Sequence, residues 1–199
     1  HQQQGLAQRE RALVESAYMA ARQTELLNHA DVARSLIAPL YDTKREDAAI
    51  RAEALRLLGA ISYGIDGYYF VFDTGGRNLM HPRQPELVNQ DLWDLRDTQG
   101  VPVIRELIAR GHEGGGFVRY LWQKPSTQTL TPKIAYAISL PRWNWVIGTG
   151  LYLDDIQATL NLVDQQIDDN VNATMRWIAG IAVLGVLIIG GSGLVLNLS

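Results

Sequence analysis

Cationic and aromatic side chains are interleaved along the part of the chain that is richest in β-branched and aromatic residues. Those that could contact a ligand are His81, Arg83, Arg119, Tyr120, Trp122, Lys133 and Tyr136. Arg, Lys and His donate charge-assisted hydrogen bonds to an anion, Tyr adds a hydroxyl donor, and Trp adds an apolar wall. This mixture predicts a site for a small carboxylate. Core packing of the aromatic residues and a solvated ion pair at Arg119 are the alternative explanations.

The alternation of side chains along a β-strand divides these candidates between two faces. Arg119 points away from Tyr120, whereas Trp122 shares the face of Tyr120. Lys133 and Tyr136 also lie on opposite faces of their strand. One pocket can therefore hold all of them only if a strand twists or contains a bulge.

No arrangement of residues typical of catalysis is present in the sequence. There is no G-x-S-x-G nucleophile elbow and no H-E-x-x-H motif, and the Gly run at 114–116 enters a strand instead of a phosphate-binding helix. The four His residues lack metal-ligand spacing, and the Asp pairs at 154–155 and 168–169 are typical of helix caps or solvated faces. There is no Cys, and the net charge of −3 argues against nucleic-acid binding. We therefore expect no enzymatic activity, no metal ion and no cofactor in this chain.

Two helices are predicted before the β-rich part of the chain. The first runs from about 2 to 38 and is stopped by Pro39. It carries a heptad seam made of Leu6, Leu13, Ala20 and Leu27, with Ala17 and Thr24 between them. Such a narrow apolar stripe favours contact with another helix. The second helix is predicted to begin near Asp42, with Thr43 and Glu46 forming a capping box.

An antiparallel sheet is predicted where the sequence changes to β-branched and aromatic runs. The strands are expected at 67–73, 78–80, 117–122, 132–140 and 143–150, with a short amphipathic helix at 101–110. A tight turn is predicted at Pro141–Arg142, and Trp143, Trp145 and Ile147 should share a buried face. The predicted fold class is therefore α+β.

The polar part of the chain is predicted to end in a helix that leads into an uncharged tail. This helix, capped by Asp154 or Asp155, carries a second seam made of Ile156, Leu160, Val163, Ile167 and Val171. The two seams together predict a parallel homodimer. The twenty uncharged residues at 177–196 would span roughly 30 Å and predict a transmembrane helix.

The charges beside this tail predict the orientation of the protein in a membrane. Between 154 and 176 there are five Asp residues, and Arg176 is the only basic residue. A flank poor in Lys and Arg is typical of the non-cytoplasmic side, so the preceding domain is expected outside the cytoplasm. The chain starts with His1 instead of Met, and we expect a membrane segment or export signal before it in a longer protein.

Five motifs occur in order along the chain. They are G-Y-Y-F-V-F-D (67–73), N-L-M-H-P (78–82), G-F-V-R-Y-L-W-Q-K-P (116–125), P-K-I-A-Y (132–136) and W-V-I-G-T-G-L-Y-L-D-D-I (145–156). This series resembles the single Cache domain of bacterial transmembrane receptors. The resemblance implies a PAS-like antiparallel sheet with a long N-terminal helix packed against it, in the periplasm between two membrane helices. It also implies a pocket for a small organic acid such as acetate, propionate or pyruvate.

The resemblance also orders the site candidates and divides the chain. It points first to His81, Tyr120, Trp122 and Lys133, and then to Tyr68, Phe70, Arg83, Arg119 and Tyr136. The implied segments are a stalk helix at 1–40, a ligand-binding domain at 41–152, a signalling helix at 153–176 and a membrane helix at 177–196.

The cytoplasmic output implied by the resemblance would follow Ser199. The segments M-H-P-R-Q-P-E-L (80–87) and G-T-G-L-Y-L-D-D-I (148–156) look most like the input of a sensor histidine kinase, whose partner is a cytoplasmic response regulator. A methyl-accepting chemotaxis receptor is the alternative. An adhesion or scaffolding domain and a membrane-tethered hydrolase are further alternatives, and the hydrolase lacks a nucleophile–base pair in the sequence.

Overall fold

The computed structural model describes residues 2–43, 47–154, 158, 161, 165 and 174–177. The helices and strands along the chain follow the order α1, α2, β1, β2, β3, α3, β4, β5 and β6. Their bounds are Gln2–Tyr41, Ala48–Ala60, Ser62–Tyr63, Gly67–Asp73, Asn78–Met80, Val103–His112, Gly116–Gln123, Leu130–Leu140 and Trp145–Tyr152. The sheet, α2, α3 and the part of α1 from Glu15 onwards belong to the compact unit Glu15–Asp155.

The strands form one antiparallel sheet. Its order is β1–β2–β6–β5–β4, and β3 pairs with the end of β2. The last strand, β6, therefore lies between β2 and β5, and Phe70 is directly opposite Gly148. A single turn at Pro141–Trp143 joins β5 to β6, and Asn144 after it adopts the left-handed backbone conformation, with φ of 54°. The predicted α+β class, this turn and, to within two residues, the strands at 67–73, 78–80, 117–122 and 132–140 are confirmed. The last strand, expected at 143–150, runs over Trp145–Tyr152, because Trp143 belongs to the turn.

One face of the sheet packs against α3. The side chains of Phe70 and Phe72, two residues apart on β2, both point to this face. They form a core with Ile104 and Leu107 of α3. The helix begins directly after Pro102, close to the predicted start. Burial of each such side chain contributes about 1.5–3 kcal/mol to folding.

The opposite face packs against α1 and α2. Tyr69 of β2 points to this side, and its core includes Ala30 and Ile37 of α1 and Leu58 of α2. The Tyr69 hydroxyl donates a hydrogen bond to the backbone carbonyl of His29 at 2.8 Å. The long first helix is therefore attached to the sheet by its C-terminal half.

The stripe of α1 that contacts the sheet differs from the predicted heptad seam. The buried residues of α1 are Leu26, Ala30, Ala33 and Ile37. The described members of the seam, Leu13, Ala17, Ala20, Thr24 and Leu27, are all exposed. The side chain of Leu6 lies outside the described residues. The seam does not pack on the sheet, and its contact with another helix stays a prediction.

The end of α1 lies slightly beyond the predicted boundary. The helix continues through Pro39 to Tyr41, and the backbone N–H of Asp42 still donates to the carbonyl of Ala38 at 2.8 Å. A proline ring removes only one backbone N–H, and in the last turn few hydrogen bonds remain to be lost. The expectation that Pro39 stops the helix at Ala38 is therefore wrong by one turn.

The start of α2 also differs from the prediction. Its N-cap is Asp47, whose carboxylate accepts a hydrogen bond from the backbone N–H of Ile50 at 2.8 Å. The hydroxyl of Thr43 donates instead to the Leu40 carbonyl at 2.8 Å, and Glu46 lies outside the described residues. The expected helix start near residue 42 is wrong because Asp47 supplies the stronger cap.

The predicted signalling helix at 153–176 and membrane helix at 177–196 lie largely outside the described residues. In this part of the chain Leu153 is not helical, and the other described residues are: Asp154, Ala158, Asn161, Gln165 and 174–177. The second heptad seam from Ile156 to Val171 lies outside them. No helix formed by the described residues is both long enough and apolar enough to cross a membrane. Both segments remain predictions.

Candidate ligand-binding site

Strand alternation brings five of the predicted residues to one cavity beneath α3. They are Phe70 on β2, His81 after β3, Tyr120 and Trp122 on β4, and Lys133 on β5. Tyr120 lies directly opposite Lys133 in the β4–β5 pairing. The volume left inside is about 10 Å³, close to the minimum that holds one water molecule.

The ammonium group of Lys133 is buried without a carboxylate partner. The residue is 1% exposed, and Nζ donates a hydrogen bond to Oη of Tyr68 at 2.9 Å. Nζ also lies 4.1, 5.3 and 5.1 Å from the ring centroids of Tyr68, Phe70 and Tyr152, whose π faces partly replace the lost water. Lys133 makes no ion pair with any residue that the structure describes. A cation in this situation favours an anionic ligand.

His81 is placed as a neutral hydrogen-bond donor. It is 3% exposed, and its Nδ1 accepts a hydrogen bond from the backbone N–H of Gln84 at 3.0 Å. Burial, and after it the charge of Lys133, lowers the pKa of His81 from its ordinary value of 6.5 to about 3. Because Nδ1 accepts, the single proton of the neutral ring lies on Nε2. Nε2 is therefore free to donate to a carboxylate in the cavity.

Tyr120 and Trp122 contribute a hydroxyl and an aromatic wall. Tyr120 is 5% exposed, and burial holds the pKa of its phenol well above the usual range, so the hydroxyl keeps its proton. The two rings meet edge to face, with centroids 5.8 Å apart. Trp122 Nε1 donates to Oε1 of Gln84 at 2.8 Å, so Trp122 offers its ring to the cavity. Gln84 thus holds both His81 and Trp122, a role that no pattern in the sequence indicates.

Two glycines of β6 leave room for the site. A Cβ atom on Gly150 would lie 2.6 Å from Cε of Lys133, and one on Gly148 would lie 2.2 Å from the Phe70 ring. Both distances are shorter than van der Waals contact, so any side chain here would displace the site residues. The spacing of two in G-T-G (148–150) is the sequence signal for this, because it puts both glycines on one face.

Apolar residues that the sequence analysis did not select complete the walls. Phe72 of β2 and Val103, Ile104 and Leu107 of α3 line the cavity. The helical spacing of the apolar residues in α3 could have identified them as a buried face, though not as the wall of a site.

Four predicted site residues do not line the cavity. Tyr68 is one of them, although its hydroxyl accepts the hydrogen bond from Lys133. The other three lie elsewhere. Arg83 is exposed in the loop after β3, and Arg119 is exposed on the face of β4 opposite Tyr120. Tyr136 lies on the face covered by α1 and α2, where its ring packs 4.8 Å from that of Phe117. β4 and β5 pair in continuous register, so no bulge between them brings Arg119 or Tyr136 across to the cavity.

The cavity combines groups suited to a small anion with apolar surroundings. A buried ammonium, a neutral imidazole N–H and a phenol hydroxyl can together hold both oxygens of a carboxylate. The aromatic and aliphatic walls suit a short hydrocarbon chain. In the described part of the chain, no group of His, Asp or Glu is arranged to hold a metal ion.

A long helix on one face of an antiparallel sheet, with a small polar cavity on the other, defines a PAS-like sensor domain. The family model of single Cache domain 2 matches residues 18–166. The chain belongs to this family. Single Cache domains are periplasmic sensor modules of membrane receptors.

Relatives of this chain include both kinases and chemoreceptors. The sensor histidine kinase MctS of Rhizobium johnstonii is 38% identical over 176 residues, which cover 88% of this chain and 38% of the kinase. A solved methyl-accepting chemotaxis protein from Vibrio parahaemolyticus RIMD 2210633 is 36% identical, with a TM-score of 0.70, covering 74% of this chain and 99% of that one. A Cache chemosensory domain, whose solved structure concerns the structural basis of carboxylic acid recognition, is 26% identical with a TM-score of 0.63. The match covers 70% of this chain and 97% of that one. The chain thus spans well under half the length of the curated kinase.

Proposed function

We propose that this domain binds a small organic acid between the sheet and α3 and reports it to a cytoplasmic output. The observation that carries the proposal is the ammonium of Lys133, which is 1% exposed and has no carboxylate partner among the described residues. The relative solved with carboxylic acid recognition as its subject has the same fold. A ligand carboxylate would supply the counter-charge that no described residue supplies.

The ligand carboxylate would be held by three donors, which lie on β5, on its neighbour β4 and in the loop after β3. Lys133 Nζ keeps two N–H groups after its bond to Tyr68, and Nε2 of His81 and the hydroxyl of Tyr120 are also donors. Because the site is dry, these charge-assisted hydrogen bonds are stronger than they would be in water.

The cavity walls restrict the size of the acid. The volume of about 10 Å³ is much smaller than any organic acid, so α3 and the loop carrying His81 have to open for entry. Phe72 and Leu107 are among the close-packed walls, so each carbon added to the acid has to displace more of the core. We therefore expect acetate, propionate or pyruvate, and expect longer acids to bind more weakly.

Calorimetric titration of the full chain with these acids tests the binding site. Lys133→Met is expected to weaken binding by about thirtyfold or more, because one partner of a buried charge pair is removed. The matched control is Arg119→Met, which removes an exposed cation from the opposite face of the sheet and should leave the affinity unchanged. If no acid binds to the wild-type chain, or if Lys133→Met binds as well as the control, the proposed site is wrong.

The proposed output is a sensor histidine kinase with a response regulator as its partner. The 38% identity to a sensor histidine kinase supports it, and the similarity to chemotaxis proteins favours a methyl-accepting receptor as the second candidate.

In this proposal the domain is periplasmic, 177–196 is a membrane helix, and the exposed seam on α1 pairs with a second copy. The sequence encoded after Ser199 decides between the outputs: a phospho-acceptor His in a helical hairpin supports the kinase, and a long heptad hairpin supports the chemoreceptor.

A further inference from the structure

A series of hydrogen bonds leads from the buried Lys133 through Tyr152, at the end of β6, to the end of β4. Nζ of Lys133 donates to Oη of Tyr68 at 2.9 Å. The hydroxyl oxygens of Tyr68 and Tyr152 are 3.4 Å apart. The hydroxyl of Tyr152 donates to the backbone carbonyl of Gln123 at 2.8 Å. The series therefore starts at the proposed ligand-binding cation and ends at the last residue of β4.

The direction of each hydrogen bond follows from the number of protons available. A phenol hydroxyl has one proton, and that of Tyr152 is used on the Gln123 carbonyl. In the pair of hydroxyls Tyr68 must then donate and Tyr152 accept. Tyr68 can do so because an ammonium group is only a donor and leaves the proton of Tyr68 free. All the bonds point the same way, which is the arrangement in which each bond strengthens the next.

Tyr152, a member of this series, lies next to the point where β6 ends and the following helical residues begin. Tyr152 is the last residue of β6, and Asp154 is already helical. The residue after Gln123 is Lys124, whose Nζ lies 2.8 Å from the carboxylate of Asp154 and 3.7 Å from that of Asp66. The ends of β4 and β6 are therefore held together by the Tyr152 hydroxyl and by the ion pair of Lys124 with Asp154.

Open space lies beside this junction. Gly150, Tyr152 and Lys124 line a cleft of about 500 Å³ that also contacts the loop containing Asp66. The end of β6 therefore borders open space on the side of this cleft, while the ring of Tyr152 packs in the core on the α3 face of the sheet.

We propose that Tyr68 and Tyr152 are coupling residues that transmit ligand binding at Lys133 to the end of β6. The inference rests on the proposed function, because it takes a carboxylate as the ligand of Lys133. That carboxylate accepts hydrogen bonds from the two remaining N–H groups of Lys133 and partly neutralises the ammonium charge, which weakens the hydrogen bond from Lys133 to Tyr68. Because the bonds reinforce one another, the bonds of Tyr152 weaken as well. The junction of β6 with the helical residues that follow is then less tightly held to β4.

A double-mutant cycle tests the series without any ligand. The full chain is unfolded in urea as wild type, Lys133→Met, Tyr152→Phe and the double variant. Tyr152→Phe keeps the ring near Lys133 and removes only the hydroxyl. We expect the unfolding constant of the double variant to differ about threefold or more from the product of the single effects. In a Tyr68→Phe background this difference should disappear.

The matched control for the cycle is Tyr69→Phe. Tyr69 is as buried as Tyr68, but its hydroxyl lies on the other face of the sheet and bonds the His29 carbonyl. Combined with Lys133→Met it should show additive effects. If the Tyr152 cycle is as additive as the Tyr69 cycle, the coupling proposal is overturned.

Hydrogen–deuterium exchange with sodium acetate or sodium propionate tests the transmission. In the wild-type chain the acid should change exchange in peptides covering 120–127 and 148–155. In Tyr152→Phe the acid should bind within about threefold of the wild-type affinity, because Lys133 and His81 are untouched, while the change at 148–155 is lost. An unchanged response in Tyr152→Phe would overturn the proposal. A non-additive cycle in a chain that binds neither acid would support the series and refute the proposed function.

Discussion

The burial of His81 predicts how the stability of the protein depends on pH. The folded protein holds the pKa of His81 near 3, whereas the unfolded chain has the ordinary value of 6.5. Because the unfolded state takes up the proton first, the contribution of His81 to stability is complete above about pH 6.5 and is lost as the pH falls towards 3. The slope in this window is about 1.4 kcal/mol per pH unit. Between about pH 7 and about pH 5 the loss from this one residue is therefore about 2 kcal/mol.

Urea unfolding of the wild-type chain and of His81→Asn at the two pH values isolates this contribution. Asn keeps an acceptor near the position of Nδ1, which bonds the Gln84 N–H, and cannot take up a proton. Other groups that titrate in this range contribute equally to both proteins and cancel in the difference. We expect the wild-type chain to lose about 2 kcal/mol more than the variant on going to the lower pH. His112→Asn is the matched control, because His112 is exposed at the end of α3. This variant should lose as much unfolding free energy between the two pH values as the wild-type chain does.

Equal losses in the wild-type chain and His81→Asn would refute this account of His81. The imidazole would then be protonated as easily in the folded state as in the unfolded state. A protonated His81 would be a second cation beside Lys133, which a dry cavity does not accommodate. Such a result would therefore also exclude His81 Nε2 as a neutral hydrogen-bond donor to the ligand.

Three further substitutions test the packing and capping that support the site. Gly150→Ala should destabilise the fold by about 2 kcal/mol in urea unfolding and weaken acid binding in calorimetry, because the new Cβ overlaps the side chain of Lys133; wild-type affinity would contradict this. Asp97→Ala should cost about 2 kcal/mol by the same unfolding assay, since its carboxylate accepts three backbone N–H groups, one of them from Leu121 of β4; a loss below about 0.5 kcal/mol would show that these bonds contribute little. Asp47→Ala should cost about 1 kcal/mol and more than Thr43→Ala, and the reverse order of their urea midpoints would restore the start of α2 predicted from the sequence.

The parts of the site that could be predicted from the sequence depend on neighbours along the chain. The opposite orientations of Arg119 and Tyr120 follow from the geometry of any extended strand, and the structure has them so. The motif around His81 and the isolated Lys133 in a β-run were sufficient to select both residues for one ligand site. Both line the same cavity.

Other features required knowledge of which segments contact each other. The apolar residues of α1 form more than one stripe, and only packing on α2 and the sheet selects the one containing Leu26 and Ile37. The exclusion of Tyr136 from the site likewise depends on which face of the sheet α3 covers. Alternation divides residues into two faces but does not say which face becomes the site.

The sequence by itself determined most of the strands, the spacing of the two glycines in β6 and the two face assignments on β4, because these follow from the short-range geometry of the backbone. Only the tertiary structure decided that β6 lies between β2 and β5. This order brings Tyr68, Tyr152 and Lys133 together although they are distant in sequence. The physical reason is that strand order is a property of the whole sheet, whereas periodicity reports only which side of its own strand a residue occupies.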